Sequence, residues 1–249
     1  MARQKGINKM EGTVDDLTYY EMNGKHYVRK RRKVSKKRLK TDPMFKSMRE
    51  NGAEFGKAAT DGKLLRDCVK VLYKDAGRKA ASDRVHQVML EIKELDVTSE
   101  KGKKNVGIAL GTEGAKKMLK GFEFNPDSQV GLILYKPFEL DMETGTLSIA
   151  NLIPQRDFKI PEGATHLTLS GACADVNFTT EISALELTNE VNLLLDNNST
   201  SITLKPTTLP EGTGTRFYFL QVQFFQMVNK IPYELEDGRY HSLMIAGIA

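Results

Sequence analysis

The chain has 249 residues, of which 40% are hydrophobic, 28% charged and 8% aromatic, enough for one large domain or two ordinary ones. No apolar run approaches the ~18 residues of a membrane helix, and residues 1–9 carry charge without a following apolar stretch, so no signal peptide is expected. Two cysteines, Cys68 and Cys173, 105 positions apart, exclude a disulfide framework.

The net charge of +5 conceals a split. Residues 1–120 hold 30 Lys/Arg against 16 Asp/Glu, a balance of +14, while residues 121–249 hold 7 against 16, a balance of −9. Such asymmetry points to a polyanion or an oppositely charged partner. The plainer alternative is two independently solvated domains of different composition.

In chain order, Gly12-Thr13-Val14 and Leu17-Thr18-Tyr19-Tyr20 read as strand. Asn23-Gly24 then supplies the positive φ angles of a type I′ turn, and the arm returns through Lys25-His26-Tyr27-Val28-Arg29. This hairpin, about 12–33, has too few apolar residues to stand alone. Thr41-Asp42-Pro43 marks a helix start, with Asp42 as cap and Pro43 at the first position. Met44, Phe45, Met48, Gly52 and Phe55 follow at helical spacing, then Leu65, Cys68, Val69, Leu72 and Ala76, with Asp61-Gly62 as a break or kink between them. Val85, Val88, Met89, Ile92 and Leu95 predict a further helix; 98–111 reads as loop, and 115–120 as a short helix closed by Gly121.

Beyond Gly121 the period becomes two. Strands are predicted at 130–135, 145–150, 166–170, 177–182, 201–204, 216–228 and 240–248, with 185–195 as a candidate short helix. In the longest, Tyr218, Leu220, Val222 and Phe224 form the expected core face. The fold class is therefore α+β: a basic hairpin-plus-helical domain over 1–120, then an acidic antiparallel, immunoglobulin-like β-sandwich over 121–249.

No catalytic constellation emerges, and the chain is expected not to be an enzyme. Gly56 and Gly62-Lys63 are misspaced for a phosphate loop, and Leu64 stands where a metal-binding hydroxyl is required. Gly107, Gly111 and Gly114 lack the spacing of a dinucleotide fingerprint. His26, His86, His166 and His241 have no close spacing with each other or with a cysteine, so neither metal nor cofactor is expected. Cys68 and Cys173 read as core thiols, and Asp141/Glu143 and Glu234/Glu236 as solvated acids. No nucleophile elbow occurs. Asn177-Phe178-Thr179 and Asn197-Asn198-Ser199-Thr200 match the glycosylation pattern, which has no use without secretion.

The concentrated feature is a basic arm. Between residues 25 and 40 stand ten Lys/Arg and no acid, and Arg29, Lys30, Arg31, Arg32, Lys33, Lys36, Lys37, Arg38 and Lys40 are the candidate partner or phosphate contacts. Such a block repels itself unless counter-charge is supplied. It can follow nucleic-acid phosphates, dock on an acidic protein surface including the acidic half of another copy, or serve as a solvated connector. Tyr19, Tyr20 and Tyr27 can stack on bases or pack the hairpin. Residues 30–33 also pass as a nuclear-import run.

The opening Lys5-Gly6-Ile7, Gly12-Thr13-Val14, Leu17-Thr18-Tyr19-Tyr20, Asn23-Gly24 and Val28-Arg29, with Asp42-Pro43-x-Phe45 and Arg49-Glu50-Asn51-Gly52-Ala53-Glu54-Phe55-Gly56-Lys57-Ala58, resembles uncharacterised proteins encoded by Bacteroidota genomes or by their phages. The motifs cover 5–75; beyond Gly121 the likeness is architectural, and the arm here is denser. The resemblance implies a cytoplasmic or virion setting and supplies no catalytic residues.

The leading expectation is a structural protein that self-associates, basic half on acidic half, as a virion component or polymer subunit, a homo-oligomer or a partner of other assembly proteins. The apolar end 243–249, which needs a pairing strand in this chain or in another subunit, adds to it. The second expectation is nucleic-acid binding through the arm.

Overall fold

The structure, a computed structural model, describes residues 2–31, 34–72, 78–235 and 239–249. It is α+β, and every sheet is antiparallel. The chain divides into two compact units, Met1–Arg49 and Glu50–Ala249.

The first unit is a four-stranded sheet, in the order β1-β4-β3-β2, built from β1 (Ala2–Arg3), β2 (Gly12–Val14), β3 (Leu17–Met22) and β4 (Lys25–Lys30). Asn23 and Gly24 both take positive φ, 54° and 70°, and set the register Met22↔Lys25 through Leu17↔Lys30. A second tight turn at Asp15, φ 50°, adds β2. Helix α1 (Lys36–Thr41) follows, with the Ser35 side chain accepting from the Arg38 amide. No described residue before position 50 is buried.

Asp42 accepts from the Met44 amide and Pro43 opens a single 3-10 turn, the expected start signal, before α2 (Lys46–Cys68). This helix runs unbroken through Asp61-Gly62. Of the two apolar sets only the second is buried: Leu65, Val69 and Leu72 are in the core, whereas Met44, Met48 and Phe55 are half exposed or more. Ala76 lies outside the described residues. The packing face is set by α3 (Arg78–Lys93), whose Val85, Met89 and Ile92 are buried as predicted. Gly62 admits the approach, since a Cβ there would lie 3.2 Å from the Val85 side chain. The expected loop 98–111 includes a short helix, α4 (Val106–Ala109), and Thr112 caps α5 (Glu113–Leu119), which Gly121 closes at φ +81°.

The centre of the second unit is the pairing of β7 (His166–Asn177) with β11 (Thr215–Val228), in register from His166↔Phe225 to Val176↔Thr215. Around it stand β8 (Ile182–Leu187), β9 (Val191–Leu194), β12 (Ile231–Glu234) and β13 (Ser242–Ile248). A second sheet has the order β10-β6-β5, from β5 (Glu139–Asp141), β6 (Thr146–Leu152) and β10 (Thr200–Leu204). Leu220, Val222 and Phe224 pack with Leu147, Ile149, Ile202 and Leu204 of this smaller sheet. On the opposite face Phe217 and Phe219 join Ala172, Ala174, Leu65, Met89 and Leu119. Both faces of the sheet's central strands, β7, β13 and the first ten residues of β11, are therefore buried, not only the face of Leu220 and Phe224. The result is three layers: helices, large sheet, small sheet. The charge boundary near Gly121 runs through this unit, because its helices and strands share one core.

Beyond Gly121 several elements differ from expectation. Within the predicted strand 130–135, Val130–Ile133 instead form helix α6, which buries Val130 and Ile133, and Leu134 then bridges to Phe158. Residues 185–195 end β8 and form β9 rather than a helix. Strand β7 is continuous through Asn177, so 177–182 is its end, a turn and the start of β8. One more short helix, α7 (Pro154–Asp157), follows β6.

The apolar strand β13 has its partners within the chain. It pairs with β11 on one side, and on the other exchanges backbone hydrogen bonds with 121–124 (Gly121 N to Ile245 O, 2.8 Å; Ile245 N to Phe122 O, 3.0 Å; Phe124 N to Leu243 O, 2.9 Å). Every residue of it is buried. Ile245→Ala is therefore expected to destabilise the protein by about 2–5 kcal/mol. Urea unfolding at two protein concentrations checks this: a midpoint that moves with concentration would place the strand at a subunit boundary.

Candidate functional site

Positive charge is denser in the first compact unit than in the first half of the chain. Residues 1–49 hold 15 Lys/Arg against 5 Asp/Glu, a balance of +10; residues 50–249 hold 22 against 27, a balance of −5, and the two restore +5.

The arm divides into ordered pieces. Arg29 and Lys30 end β4, and the Arg31 amide donates to the Asp16 carbonyl. Arg32 and Lys33 lie outside the described residues. Lys36, Lys37, Arg38 and Lys40 sit on α1, which forms despite its charge because Ser35 caps it and Asp42 supplies a counter-ion. The Arg38 guanidinium donates to the Asp42 carboxylate at 2.7 Å and lies 6.0 Å from the Phe45 ring centroid. That hydrogen bond, with the Met44 amide, holds the Asp42 carboxyl below its ordinary value. Residues 36, 37 and 40 fall within about 100° of the helix surface, on the side away from 38. Among the described residues no carboxylate pairs with Lys36, Lys37 or Lys40.

Strand register sorts the rest of this unit into two faces. Arg3, Tyr27 and Tyr20 pair across β1, β4 and β3, with Thr18 and Arg29 in the next row and Met22 and Lys25 in the row before it. The Tyr20 and Tyr27 rings are near-parallel, with centroids 5.9 Å apart, and the Arg29 guanidinium lies 5.4 Å from the Tyr20 centroid. On the other face are Leu17, Tyr19, Val28 and the pair Glu21↔His26. Glu11 joins that pair, so that the three donor groups lie within 4.8 Å of one another. The carboxylates are solvent-exposed, as surface acids ordinarily are, and this grouping was invisible in the sequence because only the hairpin register assembles it.

The ionisable groups of the second unit hold its helices and loops. Lys93, buried on α3, donates to Glu54 of α2 at 2.8 Å and also to Glu94, while Glu54 accepts from the Gly102 amide at 2.6 Å. The bonds from Lys104 and Lys93 lower Glu94 to about 2. Burial alone would raise Asp96, yet donors from Ser99, Thr98 and Asn105 hold it far below the usual carboxylate range. Asp61 is fully buried beside Lys57, and burial pushes it up. Burial likewise raises Cys68, and Cys173 to about 11, so neither thiol is a ready nucleophile near neutral pH. Among the described residues of this unit, one cleft of about 370 Å³ is lined by Thr179, Thr180, Thr213 and Lys116, and another of about 360 Å³ by Val130, Leu134, Phe138 and Met244. Neither contains a predicted site residue. No helix among the described residues is long and apolar enough to cross a membrane.

Comparison with known proteins finds no matching family model, no matching curated protein and no matching solved structure.

Asp96→Asn removes the acceptor of the Asn105 amide and the charge that strengthens the remaining bonds, so a loss of about 1.5–3 kcal/mol is expected at pH 7. A carboxylate with a lowered folded-state pKa contributes stability above its ordinary value of 3.8, and that contribution fades as pH falls below it. The deficit of the variant should therefore narrow in acid, and denaturant melts at descending pH check it.

Proposed function

We propose that the protein is a non-enzymatic nucleic-acid-binding protein whose basic N-terminal unit contacts the phosphate backbone and whose α+β body carries that unit. One observation carries this reading: the N-terminal unit combines a balance of +10 with no buried described residue. Arg38 is paired with Asp42, while Lys36, Lys37 and Lys40 are exposed and share one side of α1. Contacts of this kind position a nucleic acid and carry little sequence information.

The second reading is self-assembly, with the basic unit of one copy on the acidic body of the next as a virion component or polymer subunit. The opposite balances of +10 and −5 favour it, and a contact between unlike surfaces closes into rings or extends as filaments. It draws less support from the terminal strand, since β13 is paired inside its own chain. The likeness to proteins of Bacteroidota or their phages sets either role in a bacterial cell or a phage particle. The immunoglobulin-like description of the two facing sheets belongs to the same proposal and is supported by the apolar layer they share.

Phosphate binding releases counterions, so affinity falls with salt by slightly less than one logarithmic unit per contact. Lys36→Ser, Lys37→Ser and Lys40→Ser together should reduce the slope of log K against log salt by about 2–3. Fluorescence anisotropy with labelled oligonucleotides measures it. Absence of any binding by the unaltered protein at low salt overturns the proposal, and salt-sensitive light scattering without nucleic acid would favour assembly instead.

A further inference from the structure

The geometry points to a ligand class: we infer that the N-terminal unit takes single-stranded nucleic acid, with bases stacking on the Tyr20–Tyr27 face of its sheet. The inference rests on the phosphate-binding reading above and deepens it.

Asn23-Gly24 fixes a two-residue loop, so Tyr20 and Tyr27 must be cross-strand partners and must lie on the same face. Their rings are near-parallel with centroids 5.9 Å apart, and the Arg29 guanidinium lies over the Tyr20 ring, 5.4 Å from its centroid, where it can sandwich or make way for a base. Arg3 is paired with Tyr27, and Lys25 and Arg29 lie one row to either side. At the paired positions of this face there is no carboxylate; Glu21 belongs to the opposite face. The face is thus an aromatic centre with a basic rim. Aromatic side chains stack on any base, and surrounding cations meet the phosphates that connect successive bases.

A duplex does not use this surface. Its bases are stacked on one another, so the tyrosines would meet only sugar and phosphate. Reading the major groove calls for an inserted helix or ribbon that presents hydrogen-bonding side chains. Helix α1 has six residues, about 9 Å of length, too short to lie along a groove, and its one arginine is held by Asp42, leaving lysines for phosphate contact. A single strand satisfies both features: its bases are free for the rings, and its backbone is free for Arg3, Lys25 and Arg29. Lys36, Lys37 and Lys40 add charge in sequence-neutral fashion.

The test uses the full chain with oligothymidylate and a mixed-sequence duplex of equal length as probes. Tyr20→Leu/Tyr27→Leu, which keeps strand-compatible apolar side chains, is expected to weaken single-strand binding by about tenfold or more and to leave duplex binding unchanged. Tyr20→Phe/Tyr27→Phe preserves the rings and should bind as the unaltered protein does. Loss of single-strand affinity in the phenylalanine variant equal to that in the leucine variant overturns stacking, as does a leucine variant that binds both probes normally. Should the leucine variant unfold, as judged by circular dichroism, the unaltered protein decides: equal affinity for both probes with a steep salt dependence rejects the stacking face and leaves the phosphate reading standing. Binding to neither probe rejects both.

Discussion

The body of this protein depends on the long antiparallel pairing of β7 with β11, buried on both faces. A sheet covered on one side can alternate apolar and polar residues; a sheet covered on both sides cannot. Phe217 and Phe219 consequently face the helices, while Leu220, Val222 and Phe224 face the small sheet. The same requirement explains Gly171, where a Cβ would lie 2.8 Å from the Phe219 carbonyl oxygen and 3.3 Å from Leu147. Polar groups inside the layer find one another: Ser170 donates to Gln221 at 2.9 Å, and the Gln221 amide reaches the Leu72 carbonyl just beyond α2. One sheet thus orders helices on one side and strands on the other.

The two units use charge in opposite ways. In the body, Lys93 sits between Glu54 and Glu94, and Lys57 between Asp61 and Glu181, so cations are spent on tying helices to neighbouring loops. A buried charge whose partner is removed is strongly destabilising, which makes these pairs structural commitments. In the N-terminal unit, Arg38 is bound to Asp42, whereas the lysines of α1 remain directed at solvent. Lacking a buried core, that unit has little apolar burial to offset the entropy of ordering its chain. Contact with a polyanion would supply counter-charge and stacking surface at once.

Local signals in the sequence proved sound where the chemistry is local. Asn23-Gly24 forms its turn, Asp42-Pro43 starts a helix, Val85, Met89 and Ile92 are a buried stripe, and Gly121 ends α5. The failures share a cause. Met44, Met48 and Phe55 have helical spacing but stay half exposed or more, Phe55 meeting the edge of His86, so spacing alone did not identify the buried side of α2. The run at 130–135 is too short for its period to be read, and tertiary packing settled it as helix. The basic arm was visible as composition. Its division into a strand end, an ion-paired Arg38 and an outward lysine face was not, because Asp42 and Ser35 act only once the backbone has turned.

The sequence by itself determined the mixed α+β class, the hairpin turn, the principal helix signals and the concentration of positive charge near the start, since each is a property of neighbouring residues or of their sum. Only the tertiary structure decided that β13 pairs within its own chain, that both faces of the large sheet's central strands are covered, and that Arg3 joins the face which the hairpin turn gives to Tyr27, Tyr20 and Arg29. Those outcomes depend on strand register and on which layers meet, and register is set by contacts between residues far apart along the chain.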